Sequence, residues 1–161
     1  MSPSGGQLPD IGKALQPILQ RVAPAERPLL IAVAERLAAE RYRGWASQTA
    51  ESVRRERLLA CAAREEDIAR RVEALHAEAA SIQARIVGDN PELSDVNRSL
   101  FAGLALERQF AIQAAGERLG AATWRSFARG AESPARETFL ACAELEEASA
   151  AVLESILRGE L

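Results

Sequence analysis

A chain of 161 residues is long enough for one hydrophobic core and one domain. Its 20 lysines and arginines and 23 aspartates and glutamates leave a net charge of −3, with no field of one sign to mark a nucleic-acid partner. No apolar run is long enough to span a bilayer, and the first residues form no apolar signal segment, so the expected location is the cytoplasm.

Alanine, leucine, arginine and glutamate dominate and aromatic residues make up only 4%, which points to an all-α fold. Residues 1–9 read as a flexible tail and residues 10–161 as a single helical domain. Asp10 is placed to cap a short leading helix that runs to about Val22 and stops at Pro24. A first long helix follows over residues 25–48, where an early proline costs no hydrogen bond. A second starts near Ala50 and runs into the seventies or eighties. Val87-Gly88-Asp89-Asn90-Pro91 must break it, and the link has room for its own helical stretch between His76 and Ile86. Ser94 or Asp95 is expected to cap a third long helix that ends at Gly130. Ser133-Pro134 starts a fourth, which runs to about Leu157. Two short links and one long one give two antiparallel hairpins joined by a crossover, a four-helix arrangement.

The hairpins repeat. Residues 34–46, with Glu35-Arg36-Leu37, Tyr42 and Trp45, recur over 116–128 with Glu117-Arg118-Leu119, Trp124 and Phe127. Residues 59–66, with Leu59-Ala60-Cys61, recur over 140–147 with Leu140-Ala141-Cys142. Each of the four segments carries a glutamate where an apolar residue is expected. At about 100° per residue, Leu58, Cys61, Ala62, Ala69, Val72 and His76 lie within about 60° of Glu65. Glu35, Glu117 and Glu146 sit in their own apolar stripes in the same way. Within each hairpin the two glutamates are about equally far from the turn, roughly 20 Å at 1.5 Å per residue. All four can therefore meet at one height. A buried carboxylate alone costs several kcal/mol or gives up its charge. Four together need protons or cations, and two divalent ions would balance them.

These residues resemble the rubrerythrin branch of the ferritin-like superfamily over about 130 residues. Residues 35–47 look like the first-helix signature (Glu35, then Arg41-Tyr42, then Trp45-Ala46-Ser47), and residues 62–72 look like the second-helix signature that ends in Ala69-Arg70-Arg71. The resemblance implies a ferritin-like four-helix bundle and a two-iron site in which Glu35, Glu65, Glu117 and Glu146 are the metal ligands. The family's Glu-x-x-His histidines are replaced by Ile68 and Ser149, the additional third-helix glutamate of some members falls at Gly120, and no rubredoxin-type Cys-x-x-Cys pair is present. A carboxylate-only donor set suits Mn²⁺, Mg²⁺ or Ca²⁺ better than iron. The resemblance together with this donor set makes iron or manganese the expected cofactor, with no haem, flavin or nucleotide.

Gln113, one turn before Glu117, is placed to hydrogen-bond a carboxylate. Tyr42 and Trp124 read first as core packing, with a supporting donor as the second role for Tyr42. His76, about 16 Å along its helix from Glu65, reads as a contact at the end of the bundle or in the crossover. Cys61 and Cys142 read as buried, reduced and too far apart to bridge. The arginines of the second helix, interleaved with acids, read as a salt-bridged surface. Leu30, Val33 and Leu37 with Ile112, Ala115 and Leu119 form a second apolar stripe. It calls for cover by the leading helix, the crossover or a second copy, and a homodimer is the expectation. Two functional readings remain open. One is a divergent metal-binding protein with a redox role. The other is a metal-free bundle serving as a structural or interaction module, its glutamates protonated or paired with arginine; no arginine falls on the stripe of Glu35 or Glu65.

Overall fold

A computed structural model describes residues 8–161, apart from the side chains of Val96 and Asn97. The chain is all-helical, with no strand among the described residues. Seven α-helices are described: α1 (Ile11–Arg21), α2 (Arg27–Ser47), α3 (Ser52–Glu73), α4 (Ala79–Asp89), α5 (Glu92–Phe101), α6 (Leu106–Arg129) and α7 (Ala135–Leu157). A 3₁₀ turn, Pro24–Glu26, leads into α2. The expected tail falls largely on residues outside those described.

Local chemistry explains the helix ends. The Asp10 carboxylate accepts from the Lys13 N–H at 3.2 Å and caps α1. Arg27 Nε donates to the carbonyls of Leu19 and Val22 at 3.0 and 3.3 Å, which satisfies acceptors that the end of α1 leaves unpaired. Glu51 caps α3 by accepting from the Val53 and Arg54 N–H groups at 3.0 and 2.7 Å. Its negative charge also suits the helix N-terminus. Gly130 ends α6 as expected. Ser133 does not cap α7 through its side chain; the hydroxyl donates to Glu137 instead, at 2.5 Å.

The second long helix stops at Glu73, within the expected range, and the helical stretch expected between His76 and Ile86 is α4, which continues through Val87 and Gly88 before the break. One segment differs from the sequence reading. The single helix expected from Ser94 or Asp95 to Arg129 is two. Gly103 adopts φ +74°, a conformation open to glycine at no steric cost. Ala102 and Ala105 are extended in ψ on either side of it. Neither Ser94 nor Asp95 is a cap, because α5 already begins at Glu92.

The hairpins α2–α3 and α6–α7 are each closely packed, and α3 lies against α7. Between α2 and α6, Trp45 Nε1 donates to Gln109 at 2.9 Å and Arg41 Nε to Gln113 at 3.0 Å. The short helices fill in around them, with α4 on α2 and α1 on α5 and α6. This accounts for part of the second apolar stripe. Leu30 is buried with Leu15 and Ile18 of α1 and Ile86 of α4, and Ile112 is buried with Phe101 of α5. Val33 and Leu37 are half-buried, while Ala115 and Leu119 remain exposed. The arginine-rich second long helix is ion-paired in part: Arg70 and Arg71 meet Asp67 at 3.1 and 2.9 Å, while its Glu66 and Glu73 are met by Arg36 and Arg43 of α2.

The interior has two apolar clusters. One contains Ile31, Ile68, Trp124 and Phe139, with Trp124 stacked on Phe139 at 5.7 Å. The other contains Tyr42, Leu58, Phe110 and Leu153, with Trp45 edge-on to Phe110 at 5.0 Å. Each long helix passes through both. In sequence, Glu35, Glu65, Glu117 and Glu146 fall between the segments that enter one cluster and those that enter the other. The four glutamates thus form a polar layer between two greasy ones.

Candidate metal centre

Relative exposure is 7% for Glu35, 0% for Glu65, 1% for Glu117 and 1% for Glu146. Carboxylate oxygens of Glu35, Glu65 and Glu146 lie within 4.8 Å of one another. Three helices therefore deliver one carboxylate each to a single point. Glu117 joins from α6, close enough to Glu146 to share a hydrogen bond. Glu35 stands in the same relation to both Glu65 and Glu146.

Neighbouring side chains hold these carboxylates in place. Tyr42 Oη and Gln113 Nε2 both donate to Glu117 Oε1, at 2.6 and 2.7 Å. Gln113 takes the role expected of it, and Tyr42 takes its second expected role beside its place in the core. Trp124 Nε1 donates to Glu146 Oε1 at 3.0 Å, a role the core-packing reading missed. A buried indole N–H needs an acceptor, and that requirement was the available signal. Ser149, standing where the family's histidine is expected, donates its hydroxyl to Glu65 Oε1 at 3.2 Å. The hydroxyl orients the carboxylate and supplies no nitrogen ligand. Ile68, at the other expected histidine position, is fully buried in the apolar core. The repeat-equivalent aromatics thus serve non-equivalent glutamates, Tyr42 reaching across to α6 and Trp124 to α7.

One oxygen is left over. Glu65 Oε2 is buried with no N–H or hydroxyl partner. It can be satisfied only by a proton shared with a neighbouring carboxyl or by a cation. Gly120 makes room beside Glu146. A Cβ at that position would lie 2.5 Å from Glu146 Oε1, so any side chain there would push the carboxylate out of the layer.

The electrostatics follow from burial. Desolvation raises the pKa of Glu65 and of Glu146 well above the ordinary value, and the neighbouring carboxylates raise both further. Burial also raises Glu35, but hydrogen bonds from Glu65 and Glu146 offset part of the effect. Burial and mutual repulsion therefore favour the protonated forms of Glu65 and Glu146 in the absence of a cation. Tyr42 is held protonated by burial and by Glu117. The sequence reading also missed Arg41. It lies off the apolar stripe, but its long side chain reaches the edge of the layer over the Phe101 ring, 4.0 Å from the centroid. Burial lowers its pKa to about 10, and its charge favours the ionised form of Glu35.

Cys61 and Cys142 are buried and unbridged, and desolvation raises their pKa values to about 11 and about 12. His76 lies in the turn between α3 and α4, outside the carboxylate cluster. No described helix is long and apolar enough to cross a membrane. No protein-family model, curated protein or solved structure matches the chain.

Proposed function

We propose that this chain is a divergent ferritin-like protein of rubrerythrin type whose glutamate layer binds one or two divalent metal ions. The observation that carries the reading is Glu65 Oε2, a buried carboxylate oxygen without a donor, aimed into a group of three carboxylates within 4.8 Å. A divalent ion satisfies that oxygen and offsets the repulsion that otherwise forces protonation. The donor chemistry fits: oxygen ligands alone favour a hard ion such as Mn²⁺ over one that prefers nitrogen.

Glu35, Glu65 and Glu146 would be the ligands, with Glu117 beside them. Tyr42 and Gln113 orient Glu117, Trp124 orients Glu146, and Ser149 orients Glu65, as outer partners do in metal sites. Gly120 keeps the space beside Glu146 open. Bound manganese or iron would supply a redox-active, Lewis-acidic centre, and the apolar clusters on both sides would keep bulk water away from it. Arg41 leaves positive charge at the rim.

The second reading is a metal-free layer, neutral through shared protons, in a bundle that serves as a structural or interaction module. The replacement of both histidines by Ile68 and Ser149 favours it. Titration with Mn²⁺, followed by loss of the free-ion EPR signal, separates the two. Saturable uptake that disappears in Glu65→Ala and Glu146→Ala supports the metal site. Uptake unaffected by either substitution, or no uptake, supports the module.

A further inference from the structure

The carboxylate layer is reached from one side of the molecule. A cavity of about 100 Å³ runs between α1, α2 and α6, and Glu35, Glu117 and Glu146 are among its lining residues. Its walls are otherwise mainly apolar, formed by Ile11 and Leu15 of α1, Ile31 of α2 and Leu119 of α6. The room comes from small residues on the facing long helices, Ala34 and Ala38 on α2 with Gly116 and Gly120 on α6. Gly116 also lets α1 approach, since a Cβ there would sit 2.7 Å from Ile11 Cδ1.

We propose that this cavity is a binding site for a small neutral aliphatic alcohol of about four carbons, with its hydroxyl against the carboxylate layer and its chain among Ile11, Leu15 and Ile31. The size follows from the volume. An apolar cavity of about 150 Å³ takes benzene, so about 100 Å³ takes roughly four carbons. The polarity follows from the lining. The walls are mainly apolar, and their polar residues Arg41, Gln113 and Thr123 are hydrogen-bonded within the protein; the inner end offers carboxylate oxygens that accept from a hydroxyl. A carboxylic acid is disfavoured because its anion would meet the glutamates. Charge neutrality follows from the metal-binding reading, because a layer neutralised by divalent ions gives an ammonium head no advantage. The orientation and neutrality of the head rest on that reading; the fit of the chain does not.

The test is a titration of the ¹³C-methyl-labelled protein with 1-butanol, in chelator and with Mn²⁺. In chelator, the expected result is saturable shifts confined to the methyls of Ile11, Leu15, Ile31 and Leu119, with a dissociation constant on the order of 1 mM. Ala34→Met, which fills the cavity, should weaken binding at least about tenfold. 1-Octanol, too long for the space, should leave these methyls unshifted, and this arm decides the matter should Ala34→Met fail to fold. Shifts scattered over the surface, or equal binding of butanol and octanol, overturn the proposal. With Mn²⁺ bound, relaxation of the alcohol protons should be faster at the hydroxyl-bearing carbon than at the methyl end; the reverse gradient overturns the orientation. Tighter binding of butylammonium than of butanol to the Mn²⁺-loaded protein overturns the neutral head. Butanol binding without Mn²⁺ uptake would refute the metal reading and leave the cavity assignment standing. Mn²⁺ uptake without butanol binding would do the opposite.

Discussion

Replacing Glu65 with glutamine should raise stability in one condition and lower it in another. Glutamine preserves the side-chain volume and keeps an oxygen for the Ser149 hydroxyl, which lies 3.2 Å from Glu65 Oε1. It also puts an amide donor where Glu65 Oε2 now has no N–H or hydroxyl partner. At neutral pH the carboxyl must take up a proton to be accommodated there and the amide need not, and relief of that cost is worth about 2 kcal/mol, within the range for one buried polar group. About 2 kcal/mol in a chain of 161 residues raises Tm by roughly 4–8 °C. This gain belongs to the chelated protein at neutral pH. The folded state holds the Glu65 proton more tightly than the unfolded chain does. The corresponding stability is therefore fully present below the ordinary value of 4.5 and is lost as pH rises through the raised folded value. The glutamine gain should accordingly vanish when the measurement is made below 4.5. With Mn²⁺ at about a hundredfold its dissociation constant, the wild type gains about 2.7 kcal/mol by linkage. The variant, lacking a charged ligand, should lose most of that. Thermal unfolding followed by far-UV circular dichroism, with chelator and with Mn²⁺, should therefore rank the two proteins in opposite orders. The same order in both conditions, or no difference in either, would refute the buried-cluster reasoning.

In chelator, the urea midpoint of the wild type should fall as pH rises above 4.5 through the raised values of Glu35, Glu65 and Glu146, and Mn²⁺ should restore it. A midpoint that climbs through that window would contradict the assignment. Gly120→Ala should weaken Mn²⁺ binding by about tenfold, the lower end of what outer-shell disruption costs, because its Cβ meets Glu146 Oε1. Gly44→Ala, whose Cβ meets nothing within 4 Å, should instead stabilise α2 by about 0.5–1 kcal/mol and leave affinity unchanged in the same titration. Tyr42→Phe should lower stability by about 1.5 kcal/mol, measured by urea unfolding, through loss of one of two donors to a buried carboxylate. The thiols of Cys61 and Cys142, held near 11 and 12 by burial, should resist a disulfide reagent until urea unfolds the chain.

Helical periodicity made the four glutamates legible, because each sits in mid-stripe and burial is decided by the direction of Cα–Cβ. The same reasoning placed Gln113 and Tyr42, which follow the stripe toward Glu117. It did not reveal Arg41, whose reach comes from side-chain length and not from its angle on the helix. It treated Ser149 only as a missing histidine, although a hydroxyl one turn from Glu146 and across from Glu65 is also a donor. The split between α5 and α6 had a local signal in Gly103, but the surrounding leucine, phenylalanine and alanine favour continuous helix and obscured it. The stop at Glu73 falls within the expected range, but its exact residue had no local signal: Ala74, Leu75, Ala77 and Glu78 are good helix formers, and the turn there lets α4 pack on α2.

The central claim is that the glutamate layer binds metal. Elemental analysis of the untagged protein, purified without chelator and reloaded anaerobically with Mn²⁺ and then with Fe²⁺, tests it most directly. The account predicts one or two equivalents of metal per chain in the wild type and none in Glu65→Ala. A wild-type protein that retains no metal after reloading would contradict it and leave a neutral, proton-sharing layer in its place.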